Sequence, residues 1–292
     1  MVKIIQVSEK VWAHTAGETK GNVAWVNLGD FLVMVDSGMD PLTIAQIKKK
    51  AEEMTNLKFK YLVLTHSHSD HILGNQAFKD CEIIATESTC EQIKESKERW
   101  TKKQIEQFVA QRPEFKEKWK DLEIVLPTKT FEKEYIIKAQ NSGKTIHIVE
   151  TNGHTKGSAF VFVPEDKIII AGDLIFAETY PYGADPSSNI YEWIRALDKI
   201  TDYQPRKIVP GHGPVTVLAE VDLQRSYLQE LVEFLEKHVN THSLNEIKSL
   251  ENLPEFPYKM SGNKTEIDLK MREEGLISRA YETVRAKITE KE

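Results

Sequence analysis

Four times in this chain a short apolar run stops at a glycine or threonine and a histidine or aspartate follows at once. The runs are residues 61–64 before Thr65-His66, 145–150 before Gly153-His154, 167–171 before Gly172-Asp173, and 206–209 before Gly211-His212. The first of them, Tyr-Leu-Val-Leu, is too apolar for a half-exposed strand and predicts one buried on both faces beneath helices. Ligands of layered α/β folds collect where strand ends open into loops. The four ends therefore predict polar groups directed at a single place.

The remaining pattern is consistent with such layers. Residues 1–40 alternate apolar and polar, with strand candidates at 11–13, 22–28 and 31–36 separated by Gly17, Gly21 and Gly29-Asp30, which reads as an antiparallel meander. Residues 41–54 open with proline and place Leu42, Ala45, Ile47 and Ala51 on one face of a surface helix. The stretch 86–121 is helical by composition. After Pro214 the spacing of Leu228, Leu231, Val232 and Leu235 predicts another helix. Ser243 and Glu246 have the spacing of a capping box, and a last helix is expected over 265–288. Pro254, Pro257, Gly262 and Asn263 mark a loop within this helical tail, which begins near residue 216.

At 292 residues the chain is long enough for a full core. Its 39 basic and 45 acidic residues give a net charge of −6, and the lysines between 94 and 120 are interleaved with glutamates as on a solvated face. That disfavours nucleic acid as a partner. Two cysteines, Cys81 and Cys90, exclude a disulfide framework and fit a reduced compartment. The N-terminal residues turn polar before a signal region could form, and no window approaches 18 consecutive apolar residues. The expectation is a cytoplasmic protein without a membrane span.

His66-Ser67-His68-Ser69-Asp70-His71 carries the chemistry. Residues two apart on an extended segment project to one side, so His66 and His68 can hold one cation. Asp70 and His71, where the chain turns into a helix, can face a second, and His154, Asp173 and His212 supply further positions. Seven nitrogen and oxygen ligands without sulfur exceed what one tetrahedral ion uses, which implies two metals. Imidazole and carboxylate ligands suit zinc first, with iron or manganese as alternates. Two adjacent dications ionise water near neutral pH and polarise the oxygen of an electrophile.

In this order, Asp36 in Val-Asp-Ser-Gly, His66/His68/Asp70/His71, Gly153-His154-Thr155, Gly172-Asp173 and Gly211-His212-Gly213 closely resemble the metallo-β-lactamase fold superfamily. The resemblance spans residues from about 20 to 215. It implies a four-layer αββα sandwich of mixed α/β (α+β) class over residues 1–215, with residues 216–292 as an appended C-terminal helical region. It also implies that His66, His68 and His154 hold one metal, that Asp70, His71 and His212 hold the other, that Asp173 bridges them, and that Asp36 supports a ligand histidine from behind.

The implied activity is metal-dependent hydrolysis of a small-molecule ester, thioester, lactone, β-lactam or phosphodiester, with Asp70 and Asp173 as catalytic carboxylates. An aspartate at the bridging position, where secreted zinc lactamases carry cysteine, disfavours antibiotics as natural substrates. Phe176, where lactonases similar at the ligands carry tyrosine, disfavours lactones. Lys156, Tyr180 and Tyr182 follow the ligand motifs closely enough to be substrate-binding candidates, Lys156 for a carboxylate. Trp100, Phe108, Phe115 and Trp119 suggest packing, a lid or a homodimer face. His238 and His242 read as surface or capping residues, and His14 and His147 as structural. A rival reading is a mono-iron enzyme resembling sulfur dioxygenases, and a third is a non-catalytic sensing site.

Overall fold

The computed structural model describes residues 2–258 and 266–290, with backbone alone for 266–272. The expected Gly262 and Asn263 and the start of the last helix at residue 265 lie outside the described residues.

The N-terminal meander is β1 (Ile5–Gln6), β2 (Val11–His14), β3 (Val23–Asn27) and β4 (Leu32–Val35), all antiparallel. Helix α1 (Pro41–Thr55) then crosses over to β5 (Phe59–Val63), which lies parallel to β4. The one-turn α2 (Ser69–Ile72) and a following 3-10 segment lead to β6 (Glu82–Thr86); beyond the helical insert of α3 (Glu87–Arg99) and α4 (Lys102–Gln111), β7 (Lys129–Phe131) closes a seven-stranded sheet. The second sheet has the order β12-β11-β10-β9-β8: β8 (Glu134–Lys138), β9 (Thr145–Glu150), β10 (Ala159–Val163), β11 (Ile168–Phe176) and β12 (Lys207–His212). Within it β11 and β12 are parallel, joined by α5 (Ile190–Asp202). The tail forms α6 (Leu218–His238), α7 (Leu244–Ile247) and α8 (Glu266–Thr289).

Alternation along single strands explains why both faces of each sheet are covered. In β4, Val33 and Val35 enter the core between the sheets, whereas Leu32 and Met34 enter the core beneath α1 and the insert. In β11, Ile168 and Ile170 face the first sheet while Ile169 and Ala171 face α5 and α6. Three apolar layers thus separate four structural layers, the αββα arrangement. The tail shares the outer core: Leu228, Leu231 and Leu235 of α6 and Leu276, Ala280 and Val284 of α8 pack there with Trp193 of α5. Among the described residues no helix is long and apolar enough to cross a membrane.

Two expectations need correction. Strand β11 does not stop at residue 171 but runs through Gly172-Asp173 to Phe176, with register shifts on either side of Gly172. Such irregularities bend a strand and re-aim a side chain, so Asp173 is presented from within a strand rather than after it. Likewise β12 continues through Pro210-Gly211 to His212. The capping box of Ser243 and Glu246 forms, with the Ser243 hydroxyl and the Glu246 carboxylate each satisfying the other's backbone amide. Both cysteines are buried free thiols.

Candidate metal centre

Parallel neighbours place their carboxyl ends at one edge. β4 and β5 deliver Asp36 and His66 there from the first sheet, and β11 and β12 deliver Asp173 and His212 from the second. The backbone amide of Asn22 donates to Gly211 O at 2.7 Å, and its side chain donates to Pro210 O and Gly213 O, both at 2.9 Å. These bonds tie the β2–β3 loop to the end of β12 and register the two sheets.

The structure brings all seven ligand candidates together. His66, His68, His154 and Asp173 form one group with ligand atoms within 4.8 Å of one another; Asp70, His71 and His212 form a second. Asp173 faces both. Its Oδ2 lies 3.6 Å from His66 Nε2 and 3.5 Å from His154 Nε2, and its Oδ1 lies 3.0 Å from His71 Nε2 and 3.4 Å from His212 Nε2. Asp70 Oδ2 is 3.3 Å from His212 Nε2, and His68 Nδ1 is 3.0 Å from His154 Nε2.

Outer groups fix which ring nitrogen points inward. Asp36, at φ 58°, accepts from Thr65 N at 2.8 Å and from its hydroxyl at 2.7 Å, and its Oδ2 lies 2.8 Å from His71 Nδ1. Thr65 Oγ1 in turn lies 3.0 Å from His66 Nδ1. Asp185 Oδ2 lies 2.9 Å from His68 Nε2, leaving Nδ1 toward the cluster. These contacts turn His66 Nε2, His71 Nε2 and His68 Nδ1 toward one another.

The donor set fits divalent ions. His66 Nε2 is buried with no hydrogen-bond partner, and His71 Nε2 and Asp173 Oδ1, though 3.0 Å apart, are buried without a well-aligned one; buried polar atoms are seldom left so. Burial drives His66 well below its ordinary value and His154 to about 3, outweighing the pull of Asp173, so both keep a free lone pair. For His71 and His212 burial acts in the same direction but loses to the neighbouring carboxylates. Asp173 and Asp36 raise His71 well above its ordinary value, and Asp173 and Asp70 raise His212 to about 9. Burial opposes ionisation of Asp70 and Asp173 too, yet the surrounding imidazoles hold both lowered and ionised. Concentrated negative charge ringed by imidazole nitrogens is a cradle for cations.

Two cavities open over this cluster and share His68, Ser69 and Tyr182: one of about 740 Å³ running under Trp100 and Arg99, and one of about 450 Å³ reaching Asp70, Asp173 and His212. Of the three substrate-binding candidates, the structure brings Tyr182 to both cavities, its ring edge-on to His68 at 5.7 Å. Tyr180 points away into the outer core, where its hydroxyl meets that of Tyr227 at 2.6 Å. Lys156 is exposed and lines neither cavity; its backbone amide donates to Ser187 Oγ at 3.0 Å. Trp100 lines the larger cavity, while Phe108 and Trp119 pack against it and Phe115 packs against those two over the first sheet.

Asp185, Gln92, Lys20 and Arg112 escape the sequence reading. Asp185 accepts from Ser187 N at 2.8 Å and from its hydroxyl at 2.6 Å. Its only local signal, Asp-Pro-Ser, marks a turn and nothing more. Gln92 accepts from Ser67 Oγ and donates to Ser187 Oγ, bridging the two walls. The loop carrying Asp185 is buttressed by α8, whose Arg279 Nε donates to Ser188 O at 3.0 Å. His238 bonds Phe234 O one turn back on its own helix, and buried His14 bonds Lys3 O.

This fold with this constellation defines a metallohydrolase class. The chain matches the metallo-beta-lactamase superfamily over residues 16–212, and it belongs to that superfamily. It is 24% identical over 234 residues to Beta-lactamase-like protein 2 homolog of Caenorhabditis elegans, covering 77% of this chain and 68% of that protein. To Metallo-beta-lactamase type 2 of Bacillus cereus it is 26% identical over 229 residues, covering 73% and 77%. A solved metallo-beta-lactamase from Pontibacter korlensis superposes with a TM-score of 0.61 at 19% identity, covering 78% of this chain and 99% of that one, a likeness of fold. The protein is thus a hydrolase of this superfamily with His/Asp clusters able to bind metal.

Proposed function

We propose that the protein is a two-metal hydrolase of a small-molecule ester or thioester. One observation carries the metal number: Asp173 directs Oδ2 at His66 and His154 and Oδ1 at His71 and His212. A carboxylate so divided suits a bridge between a site made by His66, His68 and His154 and a site made by Asp70, His71 and His212. Divalent ions held there, zinc first, supply Lewis-acid polarisation and ionised water at neutral pH. The chain's own part is to hold the ligand rings in orientation through Asp36, Thr65 and Asp185. Asp70, kept ionised, orients the attacking water by accepting its hydrogen bond. Tyr182 forms a wall across which the substrate lies.

The ester or thioester assignment draws on the aspartate at position 173 and on Phe176, which together argue against β-lactams and lactones as natural substrates; phosphodiesters stay in the test panel. Metal analysis after purification without added metal, followed by chelation, reloading and assay on chromogenic esters, thioesters, lactones, phosphodiesters and cephalosporins, is the experiment. Two zincs per chain with ester or thioester turnover lost on chelation is the expected result. One iron per chain with oxygen uptake would replace this reading by dioxygenation, and no turnover in any metal form would replace it by a sensing role.

A further inference from the structure

The smaller cavity holds two cations that no ligand set accounts for. Lys20 comes from the β2–β3 loop and Arg112 from the end of α4, and both line the space above Asp70, Asp173 and His212. Among the described residues neither makes an ion pair, not even with the two carboxylates of the same cavity. Each is instead seated on an aromatic ring of the insert, Lys20 Nζ 5.8 Å from the centroid of Phe115 and the Arg112 guanidinium 5.4 Å from that of Phe108.

Both backbones are fixed. Lys20 stands at φ 68° between Thr19 and Gly21, two buried residues. The Thr19 hydroxyl donates to Gly21 O at 2.7 Å and Thr19 O accepts from Met39 N at 2.8 Å. A Cβ on Gly21 would lie 2.5 Å from Asp70 O and 2.7 Å from His71 Nε2, so the loop presses directly on the candidate ligands and Lys20 rises from that contact. The Arg112 amide donates to Phe108 O at 3.0 Å and Val109 O at 3.2 Å, and its carbonyl accepts from Phe115 N at 3.0 Å.

Once two divalent ions occupy the ligand cluster, two unpaired cations beside it would be electrostatically unfavourable unless an anion joins them. In a chain of net charge −6, carboxylates to pair them are plentiful. We propose that Lys20 and Arg112 form the anion subsite of this cleft and that the substrate carries an oxyanionic group, carboxylate or phosphate, on the side facing the β2–β3 loop. The bond to be cut then lies over the metal cluster, a placement that rests on the hydrolase reading, while the rest of the molecule extends past Tyr182 toward Trp100. An arginine fork and a lysine point charge together suit a carboxylate or a phosphate.

The test compares 4-nitrophenyl hydrogen glutarate with the neutral 4-nitrophenyl pentanoate, on zinc-loaded wild type and on the double variant Lys20→Gln, Arg112→Gln. Binding of glutarate and of inorganic phosphate to both proteins is measured in parallel by calorimetry. Both residues are exposed, so the variant is expected to fold, and its melting curve checks this. Wild type should favour the carboxylate ester. The ratio of kcat/KM for the carboxylate over the neutral ester should fall about tenfold in the variant, through KM, as loss of two partly solvated charge-assisted contacts requires. Weaker binding of glutarate alone, or of phosphate as well, tells which oxyanion the subsite prefers. An unchanged ratio with both esters cleaved overturns the subsite and leaves the hydrolase reading intact. If neither ester is cleaved, weaker anion binding by the variant still supports the subsite, with the hydrolase reading decided by turnover on the wider substrate panel, and equal binding overturns the subsite.

Discussion

His68 and Asp185 are 117 residues apart in sequence, yet His68 Nε2 and Asp185 Oδ2 meet at 2.9 Å. The contact joins the histidine-rich turn of the first sheet to a loop of the second, and it determines which nitrogen His68 offers to the cluster. Asp185 is itself held below the ordinary carboxylate range: burial opposes this, but His68 and Ser187 outweigh it.

Asp185→Asn should therefore weaken metal binding without unfolding the protein. Replacing an outer partner of a ligand histidine costs about 10- to 100-fold in metal affinity. Competition against a chromogenic chelator measures it. Affinity equal to wild type would mean that Asp185 has no part in positioning His68.

Gly211 is a second lever. A Cβ there would stand 1.9 Å from Asp173 Oδ1 and 2.6 Å from the Gly172 carbonyl carbon. Gly211→Ala must displace the carboxylate that faces both ligand groups. Metal stoichiometry by mass spectrometry under native conditions should fall below that of wild type, and turnover should fall with it.

Tyr180→Phe separates a packing residue from a cleft residue. It leaves the buried Tyr227 hydroxyl without its partner at 2.6 Å, a loss of about 1–2 kcal/mol in unfolding free energy. Urea denaturation should show that loss. A KM for the glutarate ester within error of wild type is expected alongside it.

Asp40 links acid stability to the insert. It caps α1 by accepting from Leu42 N and Thr43 N, and its Oδ2 lies 2.7 Å from Lys118 Nζ. Burial raises its pKa, but Lys118 and Thr43 prevail and leave it lowered from 3.8. A depressed carboxylate stabilises the fold above its unfolded value and ceases to do so as pH falls through the folded one. Asp40→Asn should therefore cost about 1 kcal/mol at pH 6, and the gap to wild type should close below pH 3.8. Urea midpoints at several pH values read this directly.

The histidine cluster was legible because its signal is local: His66, His68, Asp70 and His71 share one turn, and the distant His154, Asp173 and His212 each follow an apolar run. The proline that opens α1, the capping box of Ser243 and the layered arrangement were legible for the same reason. The prolongation of β11 through Asp173 was not, since it depends on pairing with β12 across a bulge. Nor did proximity in sequence to a ligand predict proximity to the cleft. Tyr182 reaches it, whereas Tyr180, two residues earlier, turns into the core to meet Tyr227.

The sequence by itself determined the chemistry of the site, because ligand type and strand-end position are properties of short segments. Tertiary structure alone decided what surrounds it. Asp185 reaches His68 on a loop buttressed by α8, Lys20 stands above Asp70 on a loop held by Met39 and pressed against Asp70 and His71, and Arg112 arrives from the end of α4. No local pattern records such a path, since a loop's direction over the surface follows from contacts with chain far away in sequence.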